Sequence, residues 1–345
     1  MSEPGHAPDA KAEIDVLKAA ATWLKRDGKV ALATVIDTWG SAPVPVGGQM
    51  AIAADGRFQG SVSGGCIEGE VIVEAGEILS GGKPTTMKFG VADETAWRVG
   101  LPCGGEVAVY LERIEGERGA GLIDTAISAR ETRRGLVVKT DLATGDKQLF
   151  ERGGNLPDEI AGRFKSAKSG LVEEAGRQAF VQALVPPARL LIVGATHIAQ
   201  LLCGIARIAG YDLIVVDPRT AFAAADRFEG VRLETEWPQD AIPKIGLDPY
   251  TAVIALSHVG HIDDEALKLA LRSDCLYVGA LGSKRNHAKR TERLTAAGFS
   301  KDEIALIHCP IGLDIGAQSP AEIAVSIMAE VVRAVRGTKR QTAAA

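Results

Sequence analysis

The sequence contains no long apolar run. No window approaches the roughly 18 consecutive apolar residues that a membrane-spanning helix needs. The first 15 residues hold neither the basic stretch nor the apolar stretch of an export signal. We therefore expect a cytoplasmic protein that does not interact with a membrane.

Cysteine, aromatic residues and excess charge are also scarce. Five cysteines are an odd number in a chain of 345 residues, and no two of them form a CxxC pair, which argues against a disulfide framework and a zinc ribbon. Acidic residues number 44 and basic residues 39, so the net charge of −5 gives no reason to expect nucleic acid as a partner. Aromatic residues make up 5%, whereas there are 39 glycines, a balance that favours close backbone turns around ligands.

The length predicts about two domains at roughly 150 residues each, and an apolar fraction of 46% is enough for sizeable cores. The pattern predicts an N-terminal α/β domain over 1–114, a connecting segment over 115–187 and a C-terminal domain over 188–340, with a boundary at Pro186-Pro187. The elements predicted before that boundary are a helix that Gly28 ends, strands over 30–36, 49–53, 85–90 and 106–112, a helix over 67–79 and a hairpin over 137–150.

The C-terminal region alternates apolar strand candidates with helical segments. This alternation predicts a Rossmann-like, doubly wound parallel sheet of the α/β class. The predicted strands cover 190–193, 213–217, 231–233, 252–256, 276–279 and 304–308. Ser319-Pro320-Ala321-Glu322 is a capping box with proline at the first helical position, so it predicts the start of the last helix.

The first of these strands runs into a turn of the kind that binds dinucleotides. Gly194, Ala195 and Thr196 lead into a helix that begins near His197, and Asp217 ends the next strand, where an acid would meet a ribose hydroxyl. Thr196 replaces the second glycine of the fingerprint, and its Cβ would crowd a pyrophosphate. Two interpretations stay open: an NAD(P) site, or a Rossmann fold that binds another ligand or none.

Two further loops follow strands at the edge where this fold binds ligands. His258 follows strand 252–256. Together with His261 and a nearby aspartate, it could bind a metal ion, although no third ligand stands at a known spacing. Gly282-Ser283-Lys284-Arg285 follows strand 276–279. A hydroxyl and two cations at a helix start suit an anion, and the alternative is a solvated basic helix.

A glycine- and serine-rich loop over 60–69 places a cysteine at a predicted helix start. The backbone N–H groups and hydroxyls of such a loop can cradle an oxyanion. Cys66 lies where the helix dipole favours a thiolate, and Glu68 would cap the helix or contact a ligand. The candidate contacts in this loop are Ser61, Ser63, Gly64, Gly65, Cys66 and Glu68.

A second cysteine, Cys103, lies in a similar loop, Leu101-Pro102-Cys103-Gly104-Gly105. Two cysteines in glycine-rich loops are unlike core packing, whereas we assign Cys203 and Cys275 to inert buried positions. Thiolates suit a soft metal, a sulfur carrier or a covalent intermediate, and the residues alone leave these three open.

Taken together, these segments resemble the XdhC/CoxI family, accessory proteins for xanthine dehydrogenase and related molybdenum hydroxylases. The resemblance runs over most of the chain and is most specific in the Cys66 loop and in the run that begins at Cys309. Val44 stands where the family usually has an arginine, and Thr196 where it usually has a glycine. The matching segments are Gly40-Ser41-Ala42-Pro43, 60–69, 101–105, 186–194, Asp217-Pro218-Arg219, His258, 279–285 and 309–327.

The resemblance implies a chaperone that binds the molybdenum cofactor (molybdopterin), protects it during exchange of an oxo ligand for sulfur, and delivers it to an apo molybdenum hydroxylase. It implies Cys66 as the cofactor-contacting cysteine and a contact to molybdenum, with Cys103 as a second. The implied partners are the hydroxylase apoenzyme and a cysteine desulfurase, and we expect a homodimer. This role is that of a maturation factor rather than an enzyme.

Two other functions stay open. An NAD(P)-dependent oxidoreductase would use the turn at Gly194 and Asp217, with His258 as proton donor. A thiol redox or sulfur-relay protein would use Cys66 and Cys103. We rank the molybdenum-cofactor chaperone first, because Thr196 and the absence of a recognisable substrate domain count against the oxidoreductase. No set of nucleophile, acid and base stands out that would make the protein a hydrolase.

Overall fold

The computed structural model describes residues 15–40, 42–90, 105–174 and 176–337. The chain divides into two compact units, Met1–Pro186 (the N-terminal unit) and Pro187–Ala345 (the C-terminal unit). The division falls at the proline pair where the sequence analysis places a boundary. Along the described stretches, none of the helices combines the length and the apolar character needed to cross a membrane.

The N-terminal unit contains two antiparallel sheets in its described part. One sheet has the strand order β3-β2-β1-β5-β4 and the other β7-β6-β9-β8. The elements in chain order are α1 (Val16–Asp27), β1 (Lys29–Trp39), β2 (Gln49–Ile52), β3 (Phe58–Gly60), α2 (Glu68–Leu79), β4 (Thr85–Phe89), β5 (Glu106–Glu115), α3 (Gly116–Glu131), β6 (Leu136–Asp141), β7 (Lys147–Glu151), α4 (Asp158–Ser166), β8 (Gly170–Glu174) and β9 (Arg177–Leu184).

Strand β1 contributes to two cores. Ala31, Ala33 and Val35 pack on the face that α2 covers, and Val30 and Leu32 pack on the face that α1 and α3 cover. This alternation follows from the two-residue period of a strand. The first sheet is therefore covered by helices on both faces, and the loop that leads into α2 lies against one of the two cores.

The structure confirms the helices and strands predicted for this unit and adds others. Gly28 ends α1 with φ +73°, and α2 begins one residue after its predicted start. The predicted hairpin pairs Leu136 with Glu151. Strand β3 was not predicted, and the segment 115–187, which the sequence analysis treats as connecting structure, carries α3, α4 and the whole second sheet.

The C-terminal unit contains a six-stranded parallel sheet over its described residues, in the order β12-β11-β10-β13-β14-β15. This is the strand order of dinucleotide-binding Rossmann folds, and it confirms the predicted fold class. The elements in chain order are β10 (Arg189–Val193), α5 (His197–Ile208), β11 (Asp212–Val216), β12 (Arg232–Glu234), α6 (Pro238–Ile245), β13 (Thr251–Ala255), α7 (Gly260–Leu271), β14 (Tyr277–Ala280), α8 (Lys284–Ala296), α9 (Lys301–Ile304), β15 (Ile307–His308) and α10 (Pro320–Arg336).

The central strand β10 shows why this sheet is covered on both faces. Leu190 and Ile192 belong to the core formed with α5 and α10, whereas Leu191 and Val193 belong to the core formed with α6, α7 and α8. A strand that is buried on both faces reads as a continuous apolar run, here Leu190 to Val193, which made it recognisable in the sequence. The loops after β10, β11, β13 and β14 consequently meet at one edge of the sheet.

The first residue of the sixth strand was predicted wrongly. Ser300 and Glu303 form a capping box that begins the short helix α9, so the strand β15 covers only Ile307–His308 instead of 304–308. The other five strands match their predictions to within one residue at each end. The capping box predicted at Ser319 and Glu322 begins α10.

Candidate functional site

The carboxylate of Glu68 lies at the centre of the loop that leads into α2. It accepts hydrogen bonds from the hydroxyls of Ser61 (2.5 Å) and Ser63 (2.6 Å). It also accepts four hydrogen bonds of 2.9–3.2 Å from the backbone N–H groups of Val62, Ser63, Gly65 and Ile67. Charge-assisted hydrogen bonds of this kind are strong, and Glu68 is only 7% exposed.

The remaining N–H groups of this loop are also engaged. Because the N–H of Ser61 donates to the carbonyl of Gln49, every backbone N–H over 61–67 has a partner. We expected the free donors of this loop to cradle an oxyanion, but Glu68 takes that place. The hydroxyl oxygens of Ser61 and Ser63 accept hydrogen bonds of 2.8–3.1 Å from the N–H groups of Gly64, Cys66 and Ile67.

The Glu68 carboxylate is a permanent negative charge. Burial alone would raise the pKa of Glu68, but the hydroxyls of Ser61 and Ser63 and the N–H of Ser63 outweigh burial and hold the pKa at about 2. The loop is therefore organised around an ionised group that belongs to the chain itself. The carboxylate binds the loop over 61–67, and α2 has no side-chain cap at its N-terminus, so the predicted helix-capping role is not observed. A contact between Glu68 and a ligand stays a prediction.

Cys66 lies two residues before Glu68, at the start of α2. The N–H of Cys66 is held by Ser63, and Ile67 precedes the first residue of α2, so the thiol lies at the N-terminal end of the helix as expected. The side chain is half-buried, forms no disulfide and packs against the core under α2. Gly64 and Gly65 have φ of +83° and +117°, values that glycine adopts without strain.

Among the described residues, the candidate metal ligands do not form a site. No group of three or more His, Cys, Asp or Glu side chains over 15–40, 42–90, 105–174 and 176–337 is arranged to hold a metal ion. The option at His258 and His261 thus gains no third ligand, and His261 lies 5.6 Å from Trp237 between ring centroids. Cys103 lies outside the described residues, so its role stays a prediction.

Gly194 closes the turn between β10 and α5 against the end of β13. Its φ is +107°, and its N–H donates to the carbonyl of Val216 (2.8 Å). A Cβ at this position would lie 2.4 Å from the backbone nitrogen of Ser257 and 2.8 Å from the carbonyl carbon of Leu256. Both space and backbone conformation therefore require glycine here.

Thr196 caps α5 where a dinucleotide fingerprint has its second glycine. The Thr196 hydroxyl accepts a hydrogen bond from the N–H of Ala199 (3.3 Å), and His197, the first residue of the helix, is exposed. The side chain that replaces glycine thus has a helix-capping role of its own. It occupies the end of the helix that a pyrophosphate would approach.

Asp217 is fully buried beyond the end of β11. Its oxygens accept hydrogen bonds from the N–H of Ala195 (2.7 Å) and from the N–H, Nε and Nη2 of Arg219 (3.0, 2.9 and 2.7 Å). Burial would raise the pKa of Asp217, but these hydrogen bonds lower it. The side chain has no exposed surface. In this structure it ties the turn after β10 to the loop after β11, and a ribose would reach it only if Arg219 moved.

His258 is exposed on a turn whose backbone conformation is held by hydrogen bonds of the buried residues Ser257 and Asp263. Its φ of +63° is uncommon for a residue other than glycine. The N–H and hydroxyl of Ser257 both donate to Oδ1 of Asp263 (3.1 and 2.6 Å), and Ser257 Oγ accepts from the N–H of Val259 (3.0 Å). The imidazole is therefore presented at the carboxyl edge of the sheet, where we expected it.

The first turn of α8 is exposed and positively charged. Ser283 caps the helix by accepting a hydrogen bond from the N–H of Asn286 (3.3 Å), and Lys284 and Arg285 follow on the surface. The turn contains no acidic residue. Both interpretations of this loop, an anion contact and a solvated helix start, remain predictions.

A buried guanidinium beneath this loop was missed by the sequence analysis. Arg290 is 5% exposed, donates to the carbonyl of Leu281 (3.1 Å) and lies 3.7 Å from the carboxylates of Asp263 and Asp264. It therefore joins α7, α8 and the loop after β14. Its position in the helix could have revealed it. Arg290 lies one turn before Leu294 on the buried face of α8, where an apolar residue is expected.

The run before the last helix contacts another buried carboxylate, that of Glu330 in α10. Its Oε2 accepts hydrogen bonds from the hydroxyl of Tyr277 (2.8 Å) and the N–H of Gly312 (2.7 Å). Its Oε1 pairs with Nδ1 of His308 (3.0 Å) and accepts from Arg333 (3.2 Å). Burial would raise the pKa of Glu330, but the contacts with His308, Tyr277 and Gly312 hold the pKa at about 2.

Two family models match this chain over both units. The model described as the XdhC and CoxI family matches residues 23–90, which include the Cys66 loop. The model described as the XdhC Rossmann domain matches residues 190–331, which include Gly194, Arg290 and Glu330. The chain belongs to the XdhC and CoxI family. The resemblance inferred from the sequence is thereby confirmed.

Relatives of this XdhC/CoxI chain are similar over nearly its whole length. The molybdenum cofactor insertion chaperone PaoD of Escherichia coli is 28% identical over 317 residues, which are 92% of this chain and 86% of PaoD. A Bacillus subtilis protein described as a probable xanthine dehydrogenase subunit is 28% identical over 321 residues, 90% of this chain and 94% of that protein. A Bacillus halodurans crystal structure described as a xanthine dehydrogenase has a TM-score of 0.70 at 25% identity, covering 95% of this chain and 97% of that one.

The predicted site residues of this XdhC/CoxI chain that the structure describes, which leaves out Cys103, fall into two sets. Ser61 through Glu68 form one hydrogen-bonded loop in the N-terminal unit. The other set follows parallel strands at one edge of the sheet in the C-terminal unit. Its members are Gly194, His197, Asp217, His258, Ser283, Lys284 and Arg285.

Proposed function

We propose that this chain is a maturation factor that binds the molybdenum cofactor as cargo and delivers it to a molybdenum hydroxylase apoenzyme such as xanthine dehydrogenase. The observation that carries the proposal is the thiol of Cys66, half-buried at the start of α2 on a loop fixed around Glu68. A thiol is a soft ligand and suits molybdenum bound to sulfur. The name of PaoD, which aligns with 92% of this chain, supports the choice of cargo.

The surroundings of Cys66 favour holding a cargo over catalysis. Glu68, the carboxylate closest to Cys66 in this loop, is engaged by six donors and stays ionised, so it is not available to move a proton to or from the thiol. We propose accordingly that the protein is not itself an enzyme. In this role it would act as a homodimer, and a cysteine desulfurase would supply sulfur for the cofactor.

We expect the Cys66→Ala variant to lose affinity for the molybdenum cofactor while its fold stays intact. The loss should exceed the roughly tenfold effect that removal of an outer-sphere partner already has at a metal site. The measurement is anaerobic binding of purified cofactor to the full chain. The matched control is Cys203→Ala, which removes a buried thiol from the other unit, at a position that we assign as inert, and should bind like wild type. Unchanged affinity in Cys66→Ala would reject the role of this thiol.

The strand order of the C-terminal unit favours one second candidate, an NAD(P)-dependent oxidoreductase. The buried position of Asp217 and the capping role of Thr196 oppose it. We therefore expect no saturable change in intrinsic fluorescence when NADH or NADPH is titrated into the protein. A saturable binding curve would return the protein to the oxidoreductase class.

A further inference from the structure

We propose that Glu68 is the positioning residue of Cys66: its carboxylate is the internal anion around which the loop over 61–67 closes, and this closure holds the thiol in place. The biological meaning of the inference rests on the proposed function, in which Cys66 contacts the cargo. The geometry that carries the inference involves only residues of this chain. It concerns the direction and the number of the hydrogen bonds that converge on Glu68.

The hydroxyl of Ser63 connects the carboxylate to Cys66. It donates its one proton to Oε2 of Glu68 (2.6 Å) and accepts hydrogen bonds from the N–H groups of Cys66 (2.9 Å) and Ile67 (3.1 Å). A serine hydroxyl has one donor and two acceptor positions, so all three are in use. The carboxylate fixes the orientation of the hydroxyl, and the hydroxyl fixes the backbone of Cys66.

The number of donors requires a carboxylate at this position. Each oxygen of Glu68 accepts three hydrogen bonds, from Ser61, Val62 and Ser63 at Oε1 and from Ser63, Gly65 and Ile67 at Oε2. A glutamine has one acceptor oxygen, and its NH₂ group would face three donors that have lost their acceptor. Buried donors without acceptors are costly. A side chain of the same size but without the charge therefore cannot keep the loop closed.

The closed loop also limits what a ligand finds at Cys66. Since the backbone N–H groups over 61–67 all have internal partners, a phosphate or oxo group meets no free backbone donor there. The thiol of Cys66 remains the reactive group. Apart from its two chain neighbours, no described residue has an atom within 4 Å of the space where Gly65 would carry a Cβ, so the backbone beside the thiol is open to approach. Within the loop over 61–67, the group left for a ligand to contact is therefore a soft one.

The test uses chemical rescue of Glu68→Ala in the full chain. This variant lacks the CH₂ and carboxylate that together correspond to one acetate ion. The reactivity of Cys66 towards iodoacetamide is measured at one fixed pH, with the modified peptide resolved by mass spectrometry. We expect the rate to rise about tenfold when the loop opens, and to return towards the wild-type rate in acetate but not in acetamide or in chloride of equal ionic strength.

Two further variants make the test specific. Glu68→Gln should show the same rise without rescue by acetate, because the amide occupies the site while leaving donors unsatisfied. Glu70→Ala removes an exposed carboxylate from the same helix turn and should react like wild type. A wild-type rate in Glu68→Ala or Glu68→Gln overturns the proposal, as does equal rescue by acetamide, which would show that filling the space is sufficient.

Separate control experiments address the folding of the variants and the proposed function. Amide hydrogen exchange across β1 and β5 reports whether Glu68→Ala opens the whole unit. If it does, the comparison is made with Ser63→Ala, which removes the connecting hydroxyl and keeps the carboxylate, and an unchanged rate there overturns the proposal. Because the assay contains no cofactor, failure of cofactor binding by the wild-type chain would reject the proposed function and leave the positioning role of Glu68 standing.

Discussion

The Gly194→Ala variant is expected to lose much of the stability of the C-terminal unit. The new Cβ would lie 2.4 Å from the nitrogen and 2.5 Å from the Cα of Ser257, and these are backbone atoms that cannot rotate away. The φ of +107° is strained for alanine in addition. Together these effects should cost about 3–5 kcal/mol, a large part of the 5–15 kcal/mol that a typical domain has.

Amide hydrogen exchange measures this effect within the C-terminal unit alone, which a melting curve of a chain with two units would not. Peptides that contain β10 and β13 should lose protection in Gly194→Ala. The matched control is Gly204→Ala in the middle of α5, where the glycine is exposed and no atom lies within 4 Å of the added Cβ. That substitution should stabilise by about 0.5–1 kcal/mol, because alanine loses less entropy in a helix. Equal protection in the two variants would contradict the steric argument.

The fold of the C-terminal unit was predictable because the same sequence pattern, a short apolar strand followed by a helical segment, is repeated along it. Strands such as β10 and β13 are buried on both faces and therefore form short continuous apolar runs between helical segments. The second sheet of the N-terminal unit has no such signal. Strand β8, for example, has three half-buried residues followed by two exposed glutamates. It forms through pairing with β9, and this pairing cannot be seen in the local sequence.

The loops of the candidate sites could be recognised in the sequence, whereas the hydrogen-bond partners of their acidic residues could not. The glycine-rich loops at Cys66 and Gly194 are visible because glycine and serine mark close backbone turns. Glu68 was expected to cap the helix or contact a ligand and Asp217 to meet a ribose, but both accept hydrogen bonds from the loops themselves. Spacing along the chain identifies an acid near a loop, but it does not determine which side of the loop the acid approaches.

This shared arrangement has a physical reason. A tight turn that exposes several N–H groups needs an acceptor for them, since buried donors without partners are costly. In this protein the chain supplies its own carboxylate in both loops. The run around Glu330 follows the same rule, because Gly312 donates its N–H to that carboxylate. An anion cradle inferred from sequence should therefore be checked for an acid nearby in the chain that could fill it.

The Glu330→Gln variant tests this rule where the carboxylate has the most diverse partners. Wild type should lose stability as the pH falls, because the pKa of Glu330 is about 2 in the folded chain against an ordinary value of 4.5. A lowered carboxyl pKa stabilises the folded state above the ordinary value, and the contribution disappears as the pH falls from about 4.5 through about 2. It amounts to about 2–3 kcal/mol. The glutamine variant should be less stable by about 3 kcal/mol near neutral pH and should lack this acid-dependent loss.

Peroxide oxidation of Met328 as a function of urea concentration reports this stability, because Met328 is 4% exposed in α10 and the reaction also proceeds in acid. The difference in the free energy of unfolding between wild type and Glu330→Gln should become smaller as the pH falls from 4.5 to 2. The control is Arg333→Met, which removes an ion-pair partner that is 64% exposed and leaves Tyr277, Gly312 and His308 in place. It should cost less than about 1 kcal/mol, as exposed ion pairs do. A larger loss of stability in Arg333→Met than in Glu330→Gln would assign the stabilisation to the exposed ion pair and would contradict the role of the buried hydrogen bonds.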